Sequence, residues 1–244
     1  RNVITGNTAG AGGGVDAYVF FGADALIAAN AISSNTAIYG GGLELGGAGV
    51  PVVTNNLIFG NSAVAGGAGT GLGGGADAYY SNAQIINNTI AGNAARTGGG
   101  VAILSDGAPR LANNILLENQ ASSAGGAADL ESPGAAALSN IFHLNARGTC
   151  SGSSASLCSE PSNQETDPLL VDPAGTDFRP RPDSPAIDSA PAAGAPADDF
   201  RGQRRPLDGN RDGVPAHDRG AYEFDRNDVP GLEFTLGPAG STRL

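Results

Sequence analysis

The chain has 244 residues, of which 39 are glycine and only 5% are aromatic, and it contains neither Trp nor Met. So few large side chains cannot fill the deep core of a compact globule at normal packing density, whereas small side chains can fill a narrow interior. All 13 basic residues are arginine, and with 24 acidic residues the net charge is -11, which disfavours nucleic acid and anionic lipid as partners.

Six segments in the first 145 residues begin and end with asparagine and hold aliphatic residues between. They read NVITGN (2–7), NAISSN (30–35), NLIFGN (56–61), NTIAGN (88–93), NILLEN (114–119) and NIFHLN (140–145). Successive segments start 28, 26, 32, 26 and 26 residues apart. Self-similarity at a nearly fixed period of this size is typical of a solenoid.

A glycine cluster follows each of the first five segments, and the pieces between glycine and asparagine are too short and irregular for helices. The clusters are Gly12–Gly14, Gly40–Gly42, Gly66–Gly67 with Gly73–Gly75, Gly98–Gly100 and Gly125–Gly126. Short strands separated by turns stack in parallel at about 4.8 Å, and parallel crossovers are right-handed. The predicted fold is an all-β, right-handed parallel β-helix, a single-stranded solenoid of about six coils plus a C-terminal cap.

The recurring asparagines predict a hydrogen-bonded ladder along the stack, because side-chain amides at equivalent positions can bond from one coil to the next. We also expect these asparagines to adopt the left-handed backbone conformation that sharp corners require. The second asparagine of each segment gives the ladder Asn7, Asn35, Asn61, Asn93, Asn119 and Asn145, and the first gives a parallel column.

An acidic column is predicted on the outer face of the strands that follow the glycines. The two-residue alternation of a strand places Asp16, Glu44 and Asp77 outward in the same register, with Tyr18 and Tyr79 beside them. Retaining glycosidases hold two carboxyl groups about 5–5.5 Å apart, close to the coil spacing, and neighbouring like charges raise a pKa as a general acid requires. We therefore name the three carboxylates as candidate catalytic residues and the two tyrosines as candidate substrate-binding residues. The alternative is an ordinary solvated outer face.

The third repeat is six residues longer than its neighbours, and the excess lies near Gly66 to Leu72. Loops that project from one coil often bind ligands in solenoids. This one is apolar and rich in glycine, so we interpret it as a tolerated insertion.

Cys150 and Cys158 lie in a loop rich in glycine and serine. A disulfide that closes this loop is the favoured interpretation and indicates an oxidising compartment, while two reduced surface thiols are the alternative.

The coil pattern occupies residues 1–149, and we assign residues 150–225 to C-terminal coils and a cap, followed by a tail or linker at 226–244. Three pieces of this region, Asp167–Leu169, Ser184–Asp188 and Asp218–Glu223, together with the upstream repeats, resemble secreted bacterial β-helix proteins of the choice-of-anchor Q domain type. The resemblance covers nearly the whole chain and implies a secreted or cell-surface location, but no particular activity. The anchor that would follow such a module is not seen in the tail.

One loop in this region carries a calcium-like pattern. Oxygen ligands at the first, third and fifth positions followed by glycine match the start of a calcium loop, and the pattern resembles loops of dockerin and thrombospondin-type repeats. Arg219 stands where a bidentate glutamate is expected, so a solvated acidic turn is the alternative. The candidate Ca²⁺ ligands are Asp208, Asn210, Asp212, Val214 and Asp218.

Three functions remain open from the sequence. The first is a non-catalytic extracellular module that is adhesive, structural or glycan-binding. The second is a polysaccharide hydrolase or lyase that uses the acidic column, although lysine is absent and the arginines of the coils do not fall beside that column in the repeat register. The third is a fibre subunit that associates end to end. No apolar run reaches the length of a membrane span, and because the chain opens at Arg1 inside a repeat, we expect a fragment or a matured product.

Overall fold

The computed structural model describes residues 1–20, 23–67, 70–104 and 106–227. The chain winds into a solenoid of parallel β-strands, which confirms the predicted fold class. The strands, in chain order, are β1 (Val3–Thr5), β2 (Val15–Tyr18), β3 (Asp24–Ala28), β4 (Ala31–Ser33), β5 (Thr36–Ala37), β6 (Leu43–Gly46), β7 (Val50–Thr54), β8 (Leu57–Phe59), β9 (Ser62–Ala63), β10 (Ala76–Tyr79), β11 (Gln84–Ile86), β12 (Thr89–Ala91), β13 (Ala94–Thr97), β14 (Val101–Leu104), β15 (Arg110–Ala112), β16 (Ile115–Leu117), β17 (Gln120–Ala124), β18 (Ala128–Glu131), β19 (Ala136–Leu138), β20 (Ile141–His143), β21 (Cys150–Ser151), β22 (Gln164–Glu165), β23 (Leu170–Asp172) and β24 (Asp177–Pro180).

The solenoid strands form four parallel sheets, and each coil contributes up to one strand to each. Sheet A contains β1, β4, β8, β12, β16, β20 and β22; sheet B contains β5, β9, β13 and β17; sheet C contains β2, β6, β10, β14, β18 and β21; and sheet D contains β3, β7, β11, β15 and β19. The sheets enclose a narrow interior of aliphatic and alanine side chains, such as Ile32, Leu45, Ile58 and Ala78. The only helical segment described is a 3-10 turn at Ala155–Ser159, and none of the described residues form a helix with the length and hydrophobicity that crossing a bilayer requires.

Two asparagine ladders run through the stack. In the internal coils, the side-chain amide of each asparagine donates to the side-chain oxygen of the next, for example Asn61 Nδ2 to Asn93 Oδ1 at 3.0 Å. The same oxygen accepts the backbone N–H of Asn61 at 2.9 Å. One ladder joins Asn7, Asn35, Asn61, Asn93, Asn119 and Asn145, and the other joins Asn2, Asn30, Asn56, Asn88, Asn114, Asn140 and Asn163.

The left-handed corner conformation does not fall on the ladder asparagines, contrary to our expectation. It falls one residue earlier, at φ 55° for Asn55, 55° for Asn87 and 58° for Asn113. The corner is turned before the ladder residue, whose backbone N–H must point along the stack to reach the next asparagine.

The glycine clusters combine two requirements. The first glycine of each cluster has a positive φ, as at Gly40 and Gly73 with φ of 58° and 62°. The third approaches the backbone of the next coil so closely that a Cβ at Gly75 would lie 2.6 Å from the carbonyl oxygen of Gly100. Glycine is therefore needed for conformation at one position and for space at the other.

The C-terminal end of the interior is covered by the loop that contains the disulfide. Cys150 and Cys158 are bonded to each other, and both pack against the core together with Leu157 from the 3-10 turn. These side chains cover the apolar interior that an open solenoid end would expose.

The C-terminal segment, residues 167–225, packs along the side of the stack instead of only across its last coil. Phe178 and Tyr222 pack with Leu57, Ile115 and Ile141 on the outer face of sheet A. The middle strands of sheet A, β8, β12 and β16, are thus buried on both faces. Contacts between the C-terminal segment and the stack begin at the first coil, where the Arg1 guanidinium lies 5.3 Å from the centroid of the Phe200 ring. They extend to the Asn140 carbonyl, which accepts a hydrogen bond from Arg219.

Candidate functional site

The predicted acidic column lies on the outer face of sheet C. In the strand register Asp16 is paired with Glu44, and Glu44 with Asp77, in adjacent parallel strands. The residues on either side of Glu44, Leu43 and Leu45, are fully buried in the core. Alternation along the strand therefore turns the three carboxylates to the outside.

The same column continues beyond the residues that we predicted. Asp77 is paired with Ala102, Ala102 with Asp129, and Asp129 with Ser151, whose hydroxyl donates to Asp129 Oδ1 at 2.6 Å. Asp129 was missed because the fifth glycine cluster has only two glycines. Aligning Ala127 with the third glycine of the other clusters would have identified it.

Burial differs strongly along the column. Asp16 is exposed, Glu44 is half-buried, and Asp77 is only 1% exposed although it points away from the core. An outward-facing carboxylate with so little exposure must be covered by other residues on the outer surface.

The covering residues form a pocket of about 400 Å³ over Glu44 and Asp77. Its walls are Tyr39, Leu72, Tyr79 and Leu104. Tyr39 and Leu72 stand at equivalent turn positions in adjacent coils, where they form a parallel bridge. Leu72 ends the stretch that holds the extra residues of the third repeat, so the region that we interpreted as a tolerated insertion supplies part of the wall. Residues 68 and 69 lie outside the described residues.

The pKa values of the two pocket carboxyl groups are both raised. Burial, followed by the charges of Asp77 and Asp16, raises the pKa of Glu44 to about 9. Burial also raises the pKa of Asp77 to about 7, although its hydrogen bond with Glu44 acts in the opposite direction. Both shifts favour a proton that the pair retains at neutral pH. Glu44 Oε2 and Asp77 Oδ1 are both buried, and no described residue outside the pair donates a hydrogen bond to them.

The two predicted tyrosines lie beside this pair on the same sheet. Tyr79 is 47% exposed and packs edge-to-face on Tyr80, with ring centroids 4.5 Å apart. The Tyr18 ring lies over Gly46, where a Cβ would approach Tyr18 Cδ2 to 2.7 Å. Gly46 is paired with Tyr79 in the register. Because Gly46 has no side chain, the Tyr18 ring can occupy the space over it.

The loop with the calcium-like pattern is closed by its own hydrogen bonds. Asp208 Oδ2 accepts from Gly213 N at 3.1 Å, and Asp212 Oδ1 accepts from Val214 N at 2.8 Å. Asn210 Oδ1 accepts from Asp212 N at 2.8 Å. Asp218 is 1% exposed, and its carboxylate accepts from the backbone N–H groups of Asp188 and Phe224. In the described part of the chain no three His, Cys, Asp or Glu side chains are placed to hold a metal ion, and the calcium site stays a prediction.

Arginine is present near the column, although outside its register. Arg96 on β13 lowers the pKa of Asp129, whose largest shift is an increase caused by burial. The Arg96 Nε donates to the Thr70 carbonyl at 2.7 Å.

The comparisons with known proteins agree with the fold. A family model described as a right handed beta helix region matches residues 1–163, which is more than half of the chain. No curated protein and no solved structure matches the chain significantly. The match covers the coils, both asparagine ladders and the disulfide loop, and the chain therefore belongs to the right-handed parallel β-helix family.

Proposed function

We propose that this β-helix is an extracellular or cell-surface module that binds glycans in the pocket on the outer face of sheet C. The observation that carries the proposal is the pocket over the Glu44–Asp77 pair, in which Asp77 is only 1% exposed and no described residue outside the pair donates a hydrogen bond to Glu44 Oε2 or Asp77 Oδ1. A buried acceptor without a donor costs free energy, and a ligand that donates hydrogen bonds recovers it.

The composition of the pocket favours a sugar over a purely apolar ligand. Tyr39 and Tyr79 offer aromatic surface, Leu72 and Leu104 offer aliphatic surface, and the carboxyl pair lies between them. Sugar rings present an apolar face and several hydroxyl donors, so they match a site with aromatic walls and oxygen acceptors. The disulfide supports the extracellular location, because such bonds persist in oxidising compartments.

The test is a panel of oligosaccharides screened for binding by calorimetry, with wild-type protein and with the variants Glu44→Gln, Asp77→Asn and Tyr79→Ala. We expect each variant to weaken binding about tenfold or more, which corresponds to about 1.4 kcal/mol. Tyr80→Ala is the matched control, because Tyr80 packs on Tyr79 but does not line the pocket. Binding that is unaffected by the first three substitutions would place the glycan site elsewhere.

Glycan hydrolysis is the second candidate, and a specific observation favours it. Glu44 keeps its proton at neutral pH, as a general acid must. Release of reducing ends, abolished by substituting Asp16, Glu44 and Asp77 together, would establish hydrolysis; binding without product release would leave the non-catalytic function.

A further inference from the structure

The charge around the pocket restricts the kind of glycan that it can take. Asp16 and Asp129 lie in the same column, one coil before and two coils after the pair, and none of the residues lining the pocket is cationic. The chain has a net charge of -11 and no lysine. A uronate or a sulfated sugar would bring further negative charge against this column, which electrostatic complementarity disfavours.

A metal ion is a poor match for the same pocket. A calcium ion takes six to eight oxygen ligands, whereas this site offers two carboxyl groups among tyrosine and leucine side chains. The described residues contain no third acidic or imidazole group placed to complete a metal site. The apolar walls suit a carbon skeleton that carries its own cationic group.

We infer that the ligand of this pocket is an amino sugar with a free amino group, as in oligomers of glucosamine, whose ammonium group binds between Glu44 and Asp77. This inference rests on the glycan-binding function proposed above and names its ligand class. An ammonium group has three N–H donors, enough to reach both buried oxygens, and its carbon ring would pack against Tyr79. An N-acetylated sugar lacks the charge and offers only one N–H at that position.

Binding would displace the shared proton. In the free protein the proton on Glu44 reduces the negative charge of the pair; in the complex the ammonium takes over this role, Glu44 ionises, and one proton goes to solvent. The groups that face the pair are Asp16 from β2, Asp129 from β18 and the tyrosines Tyr39 and Tyr79. The carboxylates among them favour the incoming cation.

The pH dependence follows from the same groups. Asp77 titrates at about 7 and Glu44 at about 9 in the free protein. Affinity for the ammonium form should therefore rise from pH 5 upwards, since fewer protons must be displaced, and should fall again when the amine of the ligand loses its own proton.

The experiment compares glucosamine oligomers with N-acetylglucosamine oligomers, neutral glucose oligomers and galacturonate oligomers of equal length. Binding is measured by calorimetry in two buffers of different ionisation enthalpy, which reports the protons released. We expect the glucosamine oligomers to bind at least about tenfold more tightly than the others, with net proton release at about pH 6, where the amine of the ligand already carries its own proton. Glu44→Gln and Asp77→Asn should remove both the preference and the proton release, with the fold checked by circular dichroism.

Glu131→Gln is the control, because Glu131 is exposed on the same strand as Asp129 and does not line the pocket. Loss of the preference in this variant would show that surface charge alone attracts the ligand and would overturn the inference. Equal affinity for the neutral or N-acetylated oligomers, or tighter binding of galacturonate, would also overturn it while leaving glycan binding intact. Binding of no oligosaccharide at all would remove both proposals.

Discussion

Each internal ladder asparagine makes hydrogen bonds in both directions along the stack. Asn93 Oδ1 accepts from the backbone N–H and the side chain of Asn61, while Asn93 Nδ2 donates to Asn119 Oδ1 and to the Ile58 carbonyl. All of these groups are buried, so none has water as an alternative partner. The ladder therefore fixes which coil positions stand above one another.

Replacing Asn93 by alanine should lower the free energy of unfolding by about 3 kcal/mol, because it leaves several buried groups without partners at about 1–3 kcal/mol each. Asn7→Ala in the first coil is the matched control, since Asn7 is exposed and donates to a single asparagine. We expect it to cost less than half as much. Urea unfolding of both variants measures the difference, and equal losses would contradict a structural role for the ladder.

The sequence predicted the position of the acidic column, but it did not predict how deeply the carboxyl groups are buried. The register of Asp16, Glu44 and Asp77 follows from counting two residues past each glycine cluster, because strand alternation is strict. The near-complete burial of Asp77 could not be predicted this way. It depends on Leu72 and Tyr39, which reach the column from turns whose course is not set by a simple period.

The strands of sheet A have a sequence pattern that indicates burial on both faces of the sheet. Its strands read LIF, TIA, ILL and IFH, without the alternation of a sheet that has one face in water. Continuous apolar strands are typical of sheets buried on both faces, and the C-terminal segment covers this one. The Asn-Asn doublets mark the same contact: Asn55, Asn87 and Asn113 precede ladder asparagines and donate to carbonyls of the C-terminal segment.

The turns between sheets B and C should be intolerant of side chains at the third glycine of the first four clusters, although the fifth has Ala127 at this position. Gly75→Ala would place a methyl group 2.6 Å from the Gly100 carbonyl oxygen, and overpacking of this kind costs about 1–3 kcal/mol. Gly10→Ala is the control, because a Cβ there meets no described atom within 4 Å. Thermal unfolding of the two variants should show a clear loss only for the first, and similar midpoints would show that the coils can separate to accept a side chain.

In the whole molecule, the C-terminal segment is held together by a buried ionic network. The Arg205 guanidinium lies 3.3 Å from the Glu223 carboxylate, with both side chains fully buried, and donates to the carbonyls of Asp218 and Gly220. The position of this segment was not predictable from the repeat, because its sequence has no period and its partners in the coils are distant in the sequence, for example 132 residues between Thr89 and Ala221.

Arg205→Met should therefore lower the free energy of unfolding by about 3–5 kcal/mol, since it leaves the Glu223 carboxylate buried without its cation. Adding Glu223→Gln should recover part of this loss. The exposed pair of Arg181 and Asp183, 3.6 Å apart, provides the control, and Arg181→Met should change stability by at most about 1 kcal/mol. Chemical unfolding of the four proteins tests the network; a loss in Arg205→Met no larger than in Arg181→Met would contradict it.

The course of the C-terminal segment also changes how the solenoid can come apart. Stability in a bare stack is a sum over neighbouring repeats, so its terminal coils can fray one at a time. Here a single stretch of chain touches the first coil through Phe200 and the start of the sixth through Arg219. Loss of either terminal coil would also release one end of this segment, so the solenoid should melt as one cooperative unit and not by unravelling from its ends.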